Sequence, residues 1–144
     1  MCLTYPLPLS ELYPEARLNF QRRLGWKVFS YAYAPNYLSL QLAFEFMTYR
    51  NSRRVPRDHW IEAEPIELAF HHQQNTPYQG GFHVYLVKPA DVDAYPVRWR
   101  GALALGYQDH LQCVSAAKLY VPSDPRDLEQ QIALAQGEQG AQCV

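Results

Sequence analysis

Alternation of apolar and polar residues is the strongest local pattern in this chain. Between Tyr37 and Tyr49, an apolar set of side chains alternates with a polar or small set. The apolar set consists of Leu38, Leu40, Leu42, Phe44 and Phe46. A period of two over this length predicts a half-buried strand. The run Trp26–Tyr33 predicts a second strand, and the turn signal at Pro35 and Asn36 predicts that the two strands pair as a hairpin.

Shorter runs of β-branched, aromatic and aliphatic residues predict the remaining strands. They are expected over Trp60–Ala63, Ile66–Phe70, Phe82–Val87, Val97–Leu105 and Leu111–Val121. Polar stretches separate these runs, and we expect loops over Arg50–Asp58 and His71–Gly81. Alternation places Arg98 and Arg100 on the face opposite to the apolar side chains of their own strand.

Capping residues and apolar spacing predict helices at both ends of this strand-rich region. Asp124 followed by Pro125 is a typical helix start, because the carboxylate caps free amides and proline suits the first helical position. The helix is expected to end before Gly137. Its apolar stripe consists of Leu128, Ile132 and Ala135. Shorter helical pieces are expected over Glu15–Leu24 and Pro89–Tyr95.

Length and composition indicate one folded domain. The chain has 144 residues, which is too short for two domains with good cores. Hydrophobic residues make up 48% and aromatic residues 14%, which excludes a disordered chain and suits a strand-rich core. We expect an α+β fold dominated by strands, with a largely antiparallel sheet of roughly five to seven strands, a C-terminal helix and about one or two short helices. Residues 1–14 are expected to form an extended arm and residues 137–144 a mobile tail.

Charge and hydropathy exclude several classes of protein. The formal net charge is −1, so the chain has no bulk field that would attract nucleic acid or an anionic membrane. No apolar run approaches the length of a membrane span, and no signal segment opens the chain. We therefore expect a protein of the cytoplasm, without a membrane partner and without nucleic acid as its sole partner.

Cysteine spacing and known motifs predict neither a metal site nor a cofactor. Cys2, Cys113 and Cys143 contain no C-x-x-C pair, and their odd count is not typical of a disulfide framework. No phosphate-binding glycine loop and no nucleophile elbow is present. One alternative stays open at Cys2. Removal of Met1 would place a free α-amino group beside its thiol, as in enzymes with an N-terminal nucleophile; otherwise Cys2 packs under the first strand.

The segment Gly80–His83 is the first candidate for a functional site. Two glycines directly before a strand allow another backbone or a ligand to come close. By alternation, His83 shares a strand face with Tyr85 and lies opposite to Phe82. Such a pair can hydrogen-bond a ligand or orient a reacting group, so His83 and Tyr85 are the candidate catalytic residues. Alternatively, His83 is a structural histidine satisfied by a backbone carbonyl beneath a loop.

The loop before Trp60 is the second candidate, because it concentrates arginine beside aromatic residues. The predicted binding residues are Tyr49, Arg50, Arg53, Arg54, Arg57 and Trp60. Arginine binds phosphate or carboxylate groups through paired hydrogen bonds and stacks on aromatic rings. This composition is typical of protein–protein hot spots. Alternatively, the loop is a solvated segment that balances the acidic residues of the chain.

Several segments together resemble a family of small, poorly characterised proteins of bacteriophages and prophages. The motifs that carry the resemblance are Met1-Cys2-Leu3, Tyr49-Arg50, Trp60-Ile61-Glu62-Ala63, Gly81-Phe82-His83-Val84-Tyr85, Pro89-Ala90-Asp91-Val92, Val97-Arg98-Trp99-Arg100-Gly101 and Ala117-Lys118-Leu119-Tyr120-Val121-Pro122. They span most of the chain, while residues 4–25 and the helix after Pro122 depart from the family pattern. The resemblance implies a phage setting, the bacterial host cytoplasm and a compact β-rich fold, and it brings no activity.

A weaker likeness points to the ADP-ribosyltransferases. Folds of that class place an Arg or His on an early strand, an aromatic-rich strand before a short helix, and a Glu on a late strand. Arg50 or His83 would fill the first role and Tyr85 the second. The predicted late strand Leu111–Val121 contains no carboxylate for the third role, which weighs against transferase activity.

The sequence leaves several functions open, in an order of preference. We expect a phage-type accessory protein, rather than an enzyme, that acts by binding a host protein or protein complex. Inhibition of a host defence complex is one such role. The first alternative is an enzyme that acts on a nucleotide-like ligand in a pocket around His83 and Tyr85. The second alternative is a structural component of a virion or of its assembly.

Overall fold

The computed structural model describes residues 3, 7–33, 40–43, 55–63, 66–70, 77–90 and 94–132. Its strands are β1 (Leu24–Val28), β2 (Ser30–Tyr33), β3 (Leu40–Ala43), β4 (Trp60–Glu62), β5 (Ile66–Phe70), β6 (Pro77–Gly80), β7 (Phe82–Tyr85), β8 (Ala94–Gln108) and β9 (Leu111–Tyr120). A 3-10 turn spans Leu9–Glu11, helix α1 spans Pro14–Arg22, and helix α2 spans residues 126–132. The predicted strand-dominated α+β fold with a C-terminal helix is confirmed.

The main sheet has five strands in the order β4-β9-β7-β1-β8, and every pair in it is antiparallel. Strand β8 is 15 residues long and pairs with β1 through its first part and with β9 through the rest. The pairings among β1, β7, β9 and β8 therefore close into a ring. β8 is irregular where Gly101 takes a φ of 72° and the register with β9 shifts between Ala102 and Ala104. Among the described residues, β2–β3 and β5–β6 form separate two-stranded sheets.

The larger core cluster packs one face of this sheet against α1. It includes Ala16, Ile61, Phe82, Val84, Val97, Trp99, Val114, Ala116 and Leu119. Trp99 is 2% exposed, and its ring centre lies 5.4 Å from that of Phe20 in α1. Its indole N–H donates to the Leu24 carbonyl at 2.9 Å, and its backbone amide donates to the Arg23 carbonyl at 3.1 Å. Trp99 therefore ties α1 and β1 to β8.

A second cluster covers part of the opposite face, which we call the outer face. It includes Leu24, Trp26, Tyr85, Leu128 and Ile132. The predicted apolar stripe of α2 is thus confirmed for its first two members, while Ala135 lies outside the described residues. Leu3 packs on the same face beside Cys113, and both residues are fully buried. Helix α2 and Leu3 therefore cover one part of the outer face.

The start of α2 follows the prediction from Asp124 and Pro125. The Asp124 carboxylate accepts a hydrogen bond from the backbone amide of Arg126 at 3.1 Å. It also accepts one from the Arg126 guanidinium at 2.7 Å. These hydrogen bonds lower the pKa of Asp124 to about 2, so the cap stays charged over the neutral and mildly acidic range.

The predicted β2–β3 hairpin is confirmed by its register, which runs from Ser30 opposite Ala43 to Tyr33 opposite Leu40. The predicted partner strand extends to Tyr49, and the part beyond Ala43 lies outside the described residues. The single strand predicted over Trp26–Tyr33 is instead two strands separated at Phe29, because β1 joins the main sheet and β2 joins the hairpin.

Two predictions are wrong in the middle of the chain. The loop expected over His71–Gly81 contains β6, which pairs with β5 and so satisfies backbone groups through a partner that local composition did not indicate. The helical turn expected over Pro89–Tyr95 ends in a strand, since Ala94 and Tyr95 begin β8 and pair with Val28 and Lys27 of β1. In both cases a tertiary pairing overrides a local turn signal.

The N-terminal arm is fixed to β9 by the side-chain amide of Gln112. Backbone dihedrals at Pro8, Leu12 and Tyr13 are extended, as predicted, and the 3-10 turn interrupts the arm. Gln112 is fully buried. Its Oε1 accepts a hydrogen bond from the Tyr13 amide at 2.8 Å, and its Nε2 donates one to the Glu11 carbonyl at 3.0 Å. One side chain thus satisfies two backbone groups of the arm.

Replacing Gln112 with leucine is expected to lower the free energy of unfolding by about 1–3 kcal/mol, because it removes two hydrogen bonds to the arm that contribute about 0.5–1.5 kcal/mol each. Urea denaturation measures the loss, and hydrogen exchange at the Tyr13 amide should become faster. The exposed Gln130 of α2 provides the control. Gln130→Leu should change stability by no more than about 0.5 kcal/mol. Equal losses in the two variants would show that Gln112 does not hold the arm.

Candidate functional site

A regular array of side chains lies on the outer face where β8, β9 and β4 run side by side. Residues directly opposite each other in neighbouring antiparallel strands project from the same face of the sheet. Two successive rows of such neighbours cross the three strands here. The cation–aromatic array consists of Arg98, Tyr120 and Trp60 in the first row and Arg100, Lys118 and Glu62 in the second row.

The two rows of the array flank a row of three core residues that point to the opposite face of the same strands. Trp99, Leu119 and Ile61 are in register with one another across the same three strands, and all are at most 4% exposed. Because side chains alternate along a strand, the neighbours of each core residue must point to the outer face. Because the three core residues are buried on one face, both rows of the array lie on the outer face.

The aromatic rings and one guanidinium of the array are in direct contact. The ring centres of Trp60 and Tyr120 are 5.5 Å apart, with an angle of 54° between the ring planes. The Arg100 Cζ atom lies 4.1 Å from the centre of the Trp60 ring, which is the range of a cation–π contact. Trp60 and Tyr120 are half-buried, and Arg100 is exposed. The result is an ordered surface of aromatic and cationic groups.

The array carries more positive than negative charge. Its single carboxylate, Glu62, lies 3.5 Å from the Lys118 ammonium, and both side chains are largely exposed. Such a pair contributes only about 0–1 kcal/mol to stability. Arg98 donates a hydrogen bond to the Gln131 side chain of α2 at 3.1 Å. Among the described residues, no carboxylate lies within ion-pair distance of Arg100, so its charge is not neutralised there.

Of the residues predicted to bind, Trp60 belongs to the array and Arg57 does not. The Arg57 Cζ atom lies 5.7 Å from the centre of the Tyr95 ring, which packs against the larger core cluster. The other predicted binding residues, Tyr49, Arg50, Arg53 and Arg54, lie outside the described residues.

Asp58 holds the start of β4 against the end of β9. Its amide donates to the Val121 carbonyl at 2.9 Å, and its carboxylate accepts from the Ser123 amide at 2.9 Å. The hydrogen bond from Ser123 lowers the pKa of the Asp58 carboxyl. The φ of Asp58 is 65°, a conformation that aspartate tolerates better than most residues. These hydrogen bonds fix the chain two residues before Trp60, the first residue of β4.

His83 and Tyr85, the candidate catalytic residues, share the outer face as predicted, but their side chains have partners within the protein. Nδ1 of His83 lies 3.1 Å from Oε1 of Gln108, which accepts the hydrogen bond. The Tyr85 hydroxyl donates to the Asp109 carboxylate at 2.9 Å. Both partners stand at the junction of β8 and β9, and Tyr85 is only 7% exposed.

The electrostatics of this region favour a structural role for His83. Burial lowers the pKa of His83 from 6.5 to about 4, and the nearby Lys27 ammonium adds to the effect. The imidazole is therefore neutral at neutral pH and offers no cation to a phosphate. Burial also raises the pKa of the Cys113 thiol to about 12, so this residue is not a thiolate nucleophile. The structural interpretation of His83 is favoured, and the Gln108 side chain is one of its partners.

The glycine pair was predicted to let a backbone or a ligand come close, and at Gly81 the group that comes close is the backbone of β9. A Cβ atom at Gly81 would collide with the carbonyl oxygen of Ala116 on β9. The missing side chain of Gly81 therefore lets β7 and β9 meet, and the space is filled by backbone. The close packing at Gly81 therefore serves the contact between β7 and β9.

Sequence reasoning missed most of the array as a site. Arg98 and Arg100 were expected on the face opposite to the core, and Lys118 and Tyr120 alternate with Leu119 in the same way. That alternation predicts an outward direction for these side chains but does not bring them together. Their assembly with Trp60 depends on β9 pairing with β8 on one side and β4 on the other, which is a non-local property.

Comparisons with protein-family models, curated proteins and solved structures found no match. The resemblance to phage proteins and the likeness to ADP-ribosyltransferases therefore stay predictions. Among the described residues, no three His, Cys, Asp or Glu side chains are grouped to hold a metal ion. In the same part of the chain, no helix has the length and apolar character needed to cross a membrane.

Proposed function

We propose that this chain is a phage-type accessory protein that binds a host protein or protein complex through the cation–aromatic array. The contact of Arg100 with Trp60 beside Tyr120 carries the proposal, because it presents the three residue types that are enriched in interface hot spots. A surface already ordered by ring contacts loses less side-chain entropy on binding. A bacterial host cytoplasm is the setting, and a host defence complex is the partner that the phage resemblance favours.

The arginine-rich segment that precedes Trp60 extends this proposal. Arg53 and Arg54 stand seven and six residues before Trp60 in the chain, and Asp58 leads that segment into β4. We include Tyr49, Arg50, Arg53, Arg54 and Arg57 in the proposed binding set on their composition. Half-buried His83 and buried Tyr85 both have side-chain hydrogen-bond partners within the protein, which does not support the alternative of an enzyme that acts on a nucleotide-like ligand.

Affinity capture from bacterial lysate with quantitative mass spectrometry tests the proposal. Two charge-reversed proteins, Arg100→Glu with Lys118→Glu and Arg53→Glu with Arg54→Glu, are each expected to lose captured host protein by about tenfold or more, since hot-spot changes exceed about 1.4 kcal/mol. Arg17→Glu with Arg23→Glu is the control, because it reverses two exposed arginines of the α1 segment.

The control should capture as much as the unaltered protein. Equal capture by the control and by the Arg100 and Lys118 variant would exclude the array as the contact surface. Capture no greater than on empty resin, by every form of the protein, would contradict the proposed function itself. Circular dichroism of each variant shows whether its fold is retained.

A further inference from the structure

Arg100 is the cation of the array that has neither a carboxylate nor a hydrogen-bonding side chain beside it among the contacts described. It is exposed, and in register it lies directly opposite Lys118 on β9. Like charges at opposed positions of an antiparallel pair repel each other. Lys118 has Glu62 at 3.5 Å, whereas no carboxylate of the described residues comes within ion-pair distance of Arg100. An anionic group brought by a partner would remove this imbalance.

The contact with Trp60 prepares the Arg100 guanidinium for such a group. A guanidinium has five N–H donors in one plane, and stacking on an aromatic ring leaves the donors at its edge accessible. Arg100 makes its ring contact through Cζ at 4.1 Å. A planar carboxylate can then accept two parallel hydrogen bonds from one side of the guanidinium. The ring restricts the arginine beforehand, so less conformational freedom is lost on binding.

The same contacts disfavour single-stranded nucleic acid as the occupant. Proteins that bind single strands without sequence preference offer aromatic faces on which bases stack. Here the Trp60 ring already carries Arg100, and the Tyr120 ring stands 5.5 Å from it at 54°. The net charge of −1 also gives no long-range attraction for a polyanion. A short acidic segment of a protein requires neither a free ring face nor a strongly basic chain.

We infer that the array recognises an acidic protein segment and that Arg100 is the anchor, binding an Asp or Glu carboxylate through paired hydrogen bonds while Lys118 and Arg98 provide the surrounding positive charge. This inference rests on the proposed function, because it names the chemistry of the partner at the same surface. Arg100 acts by the shape of its guanidinium as well as by its charge, which distinguishes it from Lys118.

Fluorescence anisotropy with labelled probes tests the inference. The probes are a peptide that alternates Glu and Asp with Gly and Ser, the same peptide with Gln and Asn in place of the acids, and an oligothymidylate of equal charge. The unaltered protein is expected to bind the acidic peptide at least about tenfold more tightly than either other probe. Arg100→Lys keeps the charge and is still expected to weaken binding by about tenfold. Arg17→Lys, the control, should bind the acidic peptide unchanged.

Three results would overturn the inference. Undiminished peptide binding by Arg100→Lys would show that the site needs only a point charge, and tighter binding of the oligothymidylate would identify a nucleic-acid surface. Absence of acidic-peptide binding would also reject it. In that last case, capture of a host protein that depends on Arg100 and Lys118 would leave the proposed function standing. Peptide binding without any captured host protein would leave the acidic-segment inference and reject the proposed function.

Discussion

Replacing Trp99 with alanine is expected to lower the free energy of unfolding by about 3–5 kcal/mol, the usual cost of truncating a large buried aromatic residue. Trp99 is 2% exposed, contacts the ring of Phe20 and donates its indole N–H to the Leu24 carbonyl. The substitution opens a cavity between α1 and the sheet and leaves that carbonyl without its donor. Urea denaturation followed by far-ultraviolet circular dichroism measures the loss.

Trp60→Ala is the matched control, because the same residue type changes on the outer face of a neighbouring strand. Trp60 is half-buried, and losing its cross-strand contacts is expected to cost about 1 kcal/mol or less. Trp99→Phe keeps a buried ring without the indole donor, so its loss should lie between those of the two alanine variants. If Trp99→Ala and Trp60→Ala were equally destabilising, the assignment of core and outer faces would be wrong.

Acidification from neutral pH is expected to destabilise the protein through His83. The unfolded chain takes up a proton on this imidazole near pH 6.5, whereas burial keeps the folded form neutral until about pH 4. Between these values the unfolded state binds more protons, so the free energy of unfolding falls as the pH falls. Above this window the group contributes no pH dependence. The full loss is about 3 kcal/mol at 1.36 kcal/mol per pKa unit.

Urea denaturation at pH 7.5, 6.0 and roughly 4.5 measures this dependence, with the window set by the folded and unfolded pKa of His83. His83→Gln does not titrate and can still donate to Gln108, so its stability should change far less over the same range. His59→Gln is the control, since His59 is exposed and bonds only to the nearby Arg57 carbonyl among the contacts described. It should keep the full pH dependence. An unchanged slope in His83→Gln would assign the effect to other groups.

Local patterns in the sequence predict the elements around the proposed site well. Strand β9 is predicted over Leu111–Val121 and is found at Leu111–Tyr120, since a short run rich in apolar and β-branched residues is typical of a buried strand. Helix α2 starts where Asp124 and Pro125 predict it, because its cap involves only neighbouring residues. Strand β6 was missed, since its backbone bonds go to β5 and its composition resembles a loop.

The two candidate sites differ in how far sequence reasoning could predict them. For His83 and Tyr85, alternation predicts the shared face, but the packing of α2 against Tyr85 and of Leu3 beside Cys113 involves residues from both ends of the chain. For the array, alternation likewise predicts outward-facing Arg98 and Arg100. It does not predict that Trp60 becomes their neighbour, because that requires β9 to lie between β8 and β4.

Alternation, capping and composition by themselves determined a strand-rich α+β chain, the faces of β7 and β8 and the start of the last helix. These properties depend on the spacing of side chains a few residues apart, and the sequence contains that spacing directly. Tertiary structure alone decided the closed ring of β1, β7, β9 and β8, the packing of α2 against Tyr85, and the meeting of Arg100 with Trp60. Those features depend on which distant strands pair, and pairing is selected by packing of the whole core.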